Sequence, residues 1–502
     1  MSSTLLIGLD LGSTGLKAAV FRAEDGAVLA QTGLLVPWQR NATGACEVPE
    51  AVLDQLIQAV LQPLTAHLGA QVRNVQAIAC AGHGGGLYVV TGQGALATGM
   101  AVSSTDQRAA AIAQRLHSHS AARLAGGVGC SAWAGQPTMI AAHIARTTPA
   151  ALASTRTLFF AKDYMAWRLC GEIATDYSDA TTAGLLDTAT GQPAALAFAV
   201  SEVPGWNADT LAPLRNSGQR LGHVLPAMAT RMGLPEGLPV VMGAIDLFAA
   251  MTGAGCTQPG DTAAVFGTWC VNATISSIAQ PTQGGKALFE LPTPGISNAV
   301  LLNAGLSRMY MHNGASSMAN LAWLADTVFG GEREALLKAA FSAPPGSNGL
   351  RFIPFINGGE GNASAGFIGL RSCHRRADMA RAVIEAIVAL HAKNLNELRA
   401  AGLPRTRLFA LGGGAADVRI PELLATMLDE PVHTPGADET GARGAAIFAA
   451  QALGLPTQVL LAHCHVVQPL AEARMFYQGF LAEFDGLLAQ LAPVFGHLPQ
   501  QR

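Results

Sequence analysis

Asp10 stands two residues ahead of the run Gly12-Ser13-Thr14, at the end of the apolar stretch that starts at Leu5. A strand that stops at such a turn offers unhindered backbone N–H groups and hydroxyls to an anion, which is phosphate-binding chemistry. A carboxylate there would repel a nucleotide unless a cation lay between them. Asp10 is therefore read as the holder of Mg2+ or of its water shell, against the plainer role of a turn-stabilising aspartate. Ser13 and Thr14 can donate to phosphate oxygens, and Lys17 either neutralises charge or simply flanks the second strand. About half a chain later the device recurs, because Asp261 to Ile275 reads as strand, turn at Gly267-Thr268, strand. Two such turns suggest two related domains closing on one nucleotide.

Asp246 is the second carboxylate placed for chemistry. It follows an apolar strand ending Val240-Val241-Met242-Gly243-Ala244-Ile245 and precedes a helix of small residues, so little bulk surrounds it. It can accept the proton of a hydroxyl that attacks a γ-phosphate, or it can cap the helix, which is what Asp most often does there. A third glycine run, Gly412-Gly413-Gly414-Ala415, lies directly between a strand and a helix. It is either a tight packing turn or a place where backbone approaches a flat or anionic ligand.

The elements that must carry these residues follow an α/β rhythm. Val75 to Ala81 reads as a short strand and Asp106 to Leu116 as an amphipathic helix. Ala161 to Asp187 reads as an aromatic helix followed by a polar loop with Asp176, Ser178 and Asp179. Prolines and glycines crowd between Pro204 and Pro239, and a buried strand restarts there, which puts the domain boundary near Gly243 and divides the chain into 1–243 and 244–502. The second half carries a Gly- and Asn-rich loop at Asn357 to Ala365, a long helix from Asp378 to Leu398, and the strand and turn at Leu408 to Gly414.

Composition narrows the function classes. The 502 residues suffice for about two to four domains with large cores. Half are apolar, 13% are charged and the net charge is -3, which leaves no electrostatic footprint for nucleic acid or an acidic membrane. The uncharged interval between Arg73 and Asp106 is broken by glycine and polar residues, so no transmembrane helix is expected. The N-terminus lacks a basic region and carries Asp10 in its apolar run, pointing to a cytoplasmic enzyme. Eight cysteines without a CxxC pair predict reduced thiols. His117-Ser118-His119 and His463-Cys464-His465 lack a second ligand pair and read as surface or packed histidines rather than a metal site.

In order and spacing, these segments resemble the FGGY carbohydrate kinases over essentially the whole chain. The most specific stretch is Ala365-Gly366-Phe367-Ile368-Gly369-Leu370, then Asp378-Met379, then Ala382-Val383-Ile384-Glu385, which fits the family's C-terminal signature. Asp10 to Lys17, Lys162-Asp163-Tyr164 through Asp179, Gly267-Thr268, Gly412 to Ala415 and Gly444-Ala445-Ala446 support it. The resemblance implies an α/β fold of two actin-like, ribonuclease-H-like domains with MgATP and a small-molecule sugar or polyol in the cleft between them. It implies that Asp246 is the general base and Asp10 serves metal and phosphates. It further implies that Gly267-Thr268 meets the transferable phosphate, that Gly412 to Ala415 lies against adenosine, and that a homodimer is plausible.

Departures bear on the substrate. The family's N-terminal signature expects a lysine after Gly135-Gln136-Pro137-Thr138, where this chain has Met139 and Ile140. D-xylulose kinases carry Met-His where this chain has Gly84-Gly85, and a tryptophan where it has Ser104, two residues before Asp106. Both changes are expected to remove bulk and an aromatic wall from the sugar pocket. The Ser-Thr-Asp-x-Arg pattern with Gly267-Thr268-Trp269 looks more like the L-xylulose kinase branch, and the run around His83 also resembles erythritol and other short-polyol kinases. On this resemblance His83, Gly84, Gly85, Asp106 and Asp246 contact the substrate, with a turn histidine and a helix N-cap as the plain alternatives for His83 and Asp106. Arg108 is expected to pair with a carboxylate and hold this wall. The expected activity is ATP-dependent phosphorylation of a primary or terminal hydroxyl of a ketopentose such as xylulose. A short-polyol kinase of erythritol or glycerol type and a non-catalytic actin-like ATPase are the alternatives. A dinucleotide dehydrogenase is disfavoured, because the glycine triplet comes late and no acidic ribose partner follows it.

Overall fold

Alternate residues of strand β1 (Leu5–Leu11) divide between two faces: Leu5, Ile7, Leu9 and Leu11 enter one apolar core, and Leu6 enters another. Both faces are buried, as expected of a strand covered by helices on either side. The period of two puts Gly8 and Asp10 on the Leu6 face. In this computed structural model the described residues are 3–116, 127–277, 282–283, 286–287, 298–302, 307–314, 316–359, 363–436 and 438–496.

β1 pairs antiparallel with β2 (Gly15–Arg22), which pairs antiparallel with β3 (Val28–Leu35). On the other side β4 (Val75–Gly82) runs parallel to β1, and the antiparallel edge strand β5 (Arg220–His223) joins through β6 (Pro239–Ile245), which is parallel to β4. A second sheet repeats this plan. β7 (Asp261–Phe266) pairs antiparallel with β8 (Cys270–Ser276), and an outer strand β9 (Asn298–Leu302) is reached through β10 (Ser307–Gly314). β11 (Arg407–Leu411) and β12 (Val432–Thr434) extend it in parallel, and β13 (His465–Val467) closes the edge. The orders β3-β2-β1-β4-β6 and β10-β8-β7-β11-β12 coincide. This is the ribonuclease-H-like arrangement present twice, the actin-like architecture expected from the sequence.

Helices α1 (Glu50–Leu68) and α2 (Ala161–Cys170) cover the outer face of the first sheet with Leu53, Ile57, Val60, Tyr164 and Leu169. A short helix α3 (Tyr177–Thr182) follows the polar loop. α4 (Asp246–Gly253) lies between the sheets, α5 (Arg376–Ala400) packs on the outer face of the second sheet, and α6 (Thr440–Ala452) returns to the middle beside α4. One central core joins Leu6 and Phe21 of the first sheet, Ala263, Ile275 and Phe409 of the second, and Phe248 and Phe448 of the two middle helices.

The middle helices approach to backbone contact. A Cβ at Gly444 would lie 1.8 Å from the Ala249 carbonyl oxygen, and one at Gly253 would lie 2.1 Å from that of Thr440. One at Gly8 would lie 1.8 Å from the Ala442 oxygen. Glycine is the one residue that permits this three-way crossing.

Gly243, near which the sequence places the domain boundary, lies inside β6, and the packed helix α4 follows between the sheets. One expectation needs correction. The helix expected from Asp106 begins at Ala110, because Asp106 first makes a turn by accepting the Arg108 N–H at 3.0 Å. All eight cysteines are free thiols. Among the described residues no helix is long and apolar enough to cross a membrane, and no cluster of His, Cys, Asp and Glu could by itself hold a metal ion. His117 and His119 lie outside the described residues.

Gly444→Ala tests the crossing. In an ordinary helix interior this change stabilises by about 1 kcal/mol. Here it should destabilise by about 1–3 kcal/mol or more, read as a lower denaturant midpoint, since the added methyl meets a backbone carbonyl. An unchanged or raised midpoint would contradict the packing.

Candidate active site

Three parallel strands end at one edge of the first sheet, and each delivers a polar group there. β1 brings Asp10 and the Gly12-Ser13-Thr14 turn, β4 brings His83-Gly84, and β6 brings Asp246. The His83 N–H donates to the Leu11 carbonyl at 2.8 Å, locking two of these ends together. In front of them is a cavity of about 340 Å³. Ser13, His83, Ser104, Trp133 and Asp246 line it from the first lobe, and Trp269, Val271 and Asn313 from the second.

Asp246 is the first residue of α4, and Ile245 holds the cap position without a side-chain hydrogen bond. Among the described residues, the Asp246 carboxylate accepts only the next N–H, that of Leu247, at 2.7 Å. The cap position belongs to Ile245, and an N-cap side chain reaches the N–H two or three residues beyond itself, whereas Asp246 reaches its immediate neighbour. Burial, reinforced by the negative charge of Asp10, pushes its carboxyl up to about 7. Burial likewise raises Asp10 to about 6, with Lys17 opposing and Glu439 adding to the shift. Asp10 Oδ1 is buried without a hydrogen-bond partner. Its Oδ2 rests on the start of α6, where a Cβ at Gly441 would be 2.0 Å away. Two close carboxylates with an unpartnered oxygen suit a divalent cation that takes one or two carboxylates and fills its remaining positions with water and phosphate oxygens.

At the same strand-end edge His83 is buried, and its Nε2 lies 3.2 Å from the Tyr88 hydroxyl. Burial lowers its pKa to about 4, so it is a neutral imidazole with one ring nitrogen to donate and the other to accept a hydrogen bond. Gly84 lines the cavity, and a Cβ there would strike Ile245 Cδ1 at 2.4 Å. Gly85 has φ +74° and lies beneath Trp133, whose Cη2 would be 2.6 Å from an added Cβ. Gly135 closes the slot from the other side, where an added Cβ would be 2.3 Å from Trp133 Cζ3. The expected loss of an aromatic wall is therefore corrected: the space vacated at Gly85 is filled by Trp133 from another segment, with Trp269 contributed by the second lobe. Asp106 does not line the cavity. It is fully buried, accepts the Cys46 N–H at 2.8 Å, and binds Arg108, which also reaches Glu47. With both oxygens engaged, Asp106 braces the wall, and Ser104 is the residue of that segment that faces inward.

The two hairpin turns differ in their support. At the first, Gly12 N–H donates to Gly15 O at 3.0 Å, and Trp38 Nε1 donates to Ser13 O at 2.9 Å. Lys17 reaches across the cleft to Glu439 at 2.8 Å, so it flanks the turn as a partnered surface cation. At the second, the carbonyls of Gly267 and Thr268 accept the N–H groups of Met318 and Ser317, each at 3.0 Å. Ser317 Oγ lies 2.9 Å from His391 Nε2, and His391 Nδ1 lies 2.8 Å from Asn272 Oδ1. The Gly412–Ala415 turn sits directly behind: Gly414 N–H donates to Phe266 O at 2.9 Å, and a Cβ at Gly412 would be 3.0 Å from that same oxygen. Gly412 and Gly413 remain exposed, and a Cβ at Gly413 would meet nothing.

Residues 5–253 match the N-terminal domain of the FGGY family of carbohydrate kinases, and residues 262–453 match its C-terminal domain. The chain belongs to the FGGY family of carbohydrate kinases. Among its relatives is the L-xylulose/3-keto-L-gulonate kinase of Escherichia coli (strain K12), 25% identical over 97% of this chain and 98% of that protein. The autoinducer-2 kinase of Enterobacter sp. (strain 638) is 28% identical over 69% of this chain and 67% of that protein. Among solved structures, xylulose kinase from Rhodospirillum rubrum superposes with a TM-score of 0.84 at 25% identity, covering 98% of this chain and 99% of that one. This protein is thus a sugar kinase of xylulose-kinase-like type.

Within this FGGY kinase, Trp133 and Gly441 are not among the site residues that the sequence pattern singles out, while Ser178 stands out only as part of the polar loop with Asp176 and Asp179. Trp133 carried one signal, an isolated indole in the small-residue run Ser131-Ala132-Trp133-Ala134-Gly135. Gly441 carried none, because its neighbour Asp10 is remote in sequence.

The buried carboxylate at Asp246 has a measurable cost. A carboxyl whose pKa rises on folding, here from 3.8 to about 7, favours the folded state below the lower value and loses that contribution as pH climbs through the higher one. Asp246→Asn should therefore raise the melting temperature of the ligand-free, Mg2+-free protein at about pH 8, with the advantage shrinking toward about pH 5. A pH-independent difference would contradict the raised pKa.

Proposed function

We propose that this kinase transfers the γ-phosphoryl group of ATP to a primary or terminal hydroxyl of a ketopentose such as xylulose. The observation that carries the reading is Asp246: a helix-initial carboxylate outside the cap position that lines the cavity between the lobes and has its carboxyl raised to about 7. A base with a pKa near the working pH combines a useful ionised fraction with a real drive to take a proton. The substrate oxygen attacks the γ-phosphorus, its proton passes to the Asp246 carboxylate, and the bond to the β-phosphate oxygen breaks to release ADP.

The remaining roles follow from position. Gly12, Ser13 and Thr14 present amides and hydroxyls to phosphate oxygens, and Gly267-Thr268 does so from the opposite lobe. The exposed Gly412-Gly413 backbone leaves room for the adenosine, with Gly414 and Ala415 packed beneath it. Lys17 contributes through its pair with Glu439. Asp10 holds Mg2+ or its waters, and Mg2+ bound with the nucleotide supplies neutralisation of the phosphate charge. His83 and Ser104 take substrate hydroxyls, Gly84 leaves room at the cavity wall, and Gly85 lets Trp133 seat as the aromatic wall for the chain of carbons. Closure of the lobes excludes competing water.

An ADP-release assay over ketopentoses, tetritols, pentitols and glycerol tests the reading. A ketopentose should stimulate turnover most, and Asp246→Asn should lower that turnover by about 10²–10⁴-fold, the usual contribution of a positioned general base. Preference for a tetritol or glycerol would move the substrate to the short polyols. No stimulation by any acceptor would contradict the proposal outright.

A further inference from the structure

Behind the cavity lies a charge cluster that the transfer reaction does not use. Lys162, 1% exposed, places its ammonium 2.6 Å from Asp163, 3.0 Å from Asp176 and 2.8 Å from Asp179. All four residues are buried. Removing one cation and three carboxylates from water is expensive, and such clusters serve conformational specificity better than net stability. This one gathers the start of α2, the start of α3 and the ends of two strands. A Cβ at Gly82 would lie 2.8 Å from Lys162 N, and one at Gly84 would lie 3.4 Å from Asp179 Oδ1.

A single hydroxyl connects this cluster to Asp246. Asp176 Oδ1 faces Lys162, and its Oδ2 accepts Ser178 Oγ at 2.6 Å and Ser178 N–H at 3.0 Å. Ser178 Oγ in turn accepts the N–H of Ile245 at 3.0 Å. Ile245 is the last residue of β6, immediately before Asp246. We propose that Ser178 is a positioning residue for Asp246, tying the backbone at the base to the fixed point made by Lys162 and its carboxylates. Ser178 does not line the cavity, so it acts through Ile245 and touches neither substrate nor nucleotide. Both capacities of its hydroxyl are used, donation to Asp176 and acceptance from Ile245, and no aliphatic side chain supplies either. The inference rests on Asp246 being the base.

Steady-state kinetics of Ser178→Ala, Ser178→Thr and Asp246→Asn, with the acceptor that the wild type prefers, test it. Ser178→Ala should lose about ten- to a hundredfold in kcat, the scale set by small misplacements of a reacting group. Both KM values should stay within about twofold, because ground-state binding is untouched. Ser178→Thr, which keeps the hydroxyl, should recover most of the loss. If the alanine protein does not accumulate, Ser178→Cys keeps the volume with weaker hydrogen bonding and should show the same selective fall in kcat. Wild-type kcat in Ser178→Ala beside an inactive Asp246→Asn overturns the positioning role alone. A loss shared by kcat and both KM values, not rescued by threonine, also overturns it by showing general damage. A fully active Asp246→Asn enzyme overturns the base assignment instead.

Discussion

The site depends on backbone touching backbone where β1, α4 and α6 cross. Gly8, Gly253 and Gly444 leave no room for even a methyl group there, and Gly441 leaves none beside the Asp10 carboxylate. Asp10 is carried by β1 and Asp246 starts α4, so the contacts that seat α6 against both also set one carboxylate relative to the other. The exposed Lys17–Glu439 pair spans the same region, but a surface ion pair contributes only about 0–1 kcal/mol. Close packing in the interior, which resists small displacements, is the larger constraint.

This arrangement trades stability for chemistry. Asp246 lines the cavity and Asp10 is buried nearby, and burial raises both carboxyls, with Lys17 opposing the shift at Asp10. A fold selected for stability alone would place neutral groups at these positions. The cavity walls are otherwise neutral: a buried imidazole, serine hydroxyls and two indoles. Hydroxyl-rich, uncharged ligands with an apolar carbon face match such walls.

Much of this was legible in the sequence because the signals are local. Asp10 with its glycine turn, the second hairpin, the strand that presents Asp246 and the long helix α5 each declare themselves within a short window of residues, through period-two patterning and turn chemistry. The rest depends on contacts between distant segments. Asp106 looks free beside Arg108, yet its second oxygen takes the N–H of Cys46, 60 residues away. The Gly84-Gly85 pair suggests an open pocket until Trp133 is found seated on it. Ser178 and Ile245 are 67 residues apart, and no pattern in either segment announces the hydrogen bond between them.

The central claim is that the α6 backbone fixes Asp10 where phosphoryl transfer needs it, and Gly441→Ala tests this most directly. The added methyl would meet the Asp10 carboxylate, at 2.0 Å from Oδ2, while alanine suits the helix itself. The measurement is kcat with MgATP and the preferred sugar, alongside the sugar-induced shift in melting temperature. The account predicts a fall in kcat of about ten- to a hundredfold with the sugar-induced shift retained. Wild-type turnover in Gly441→Ala would contradict it.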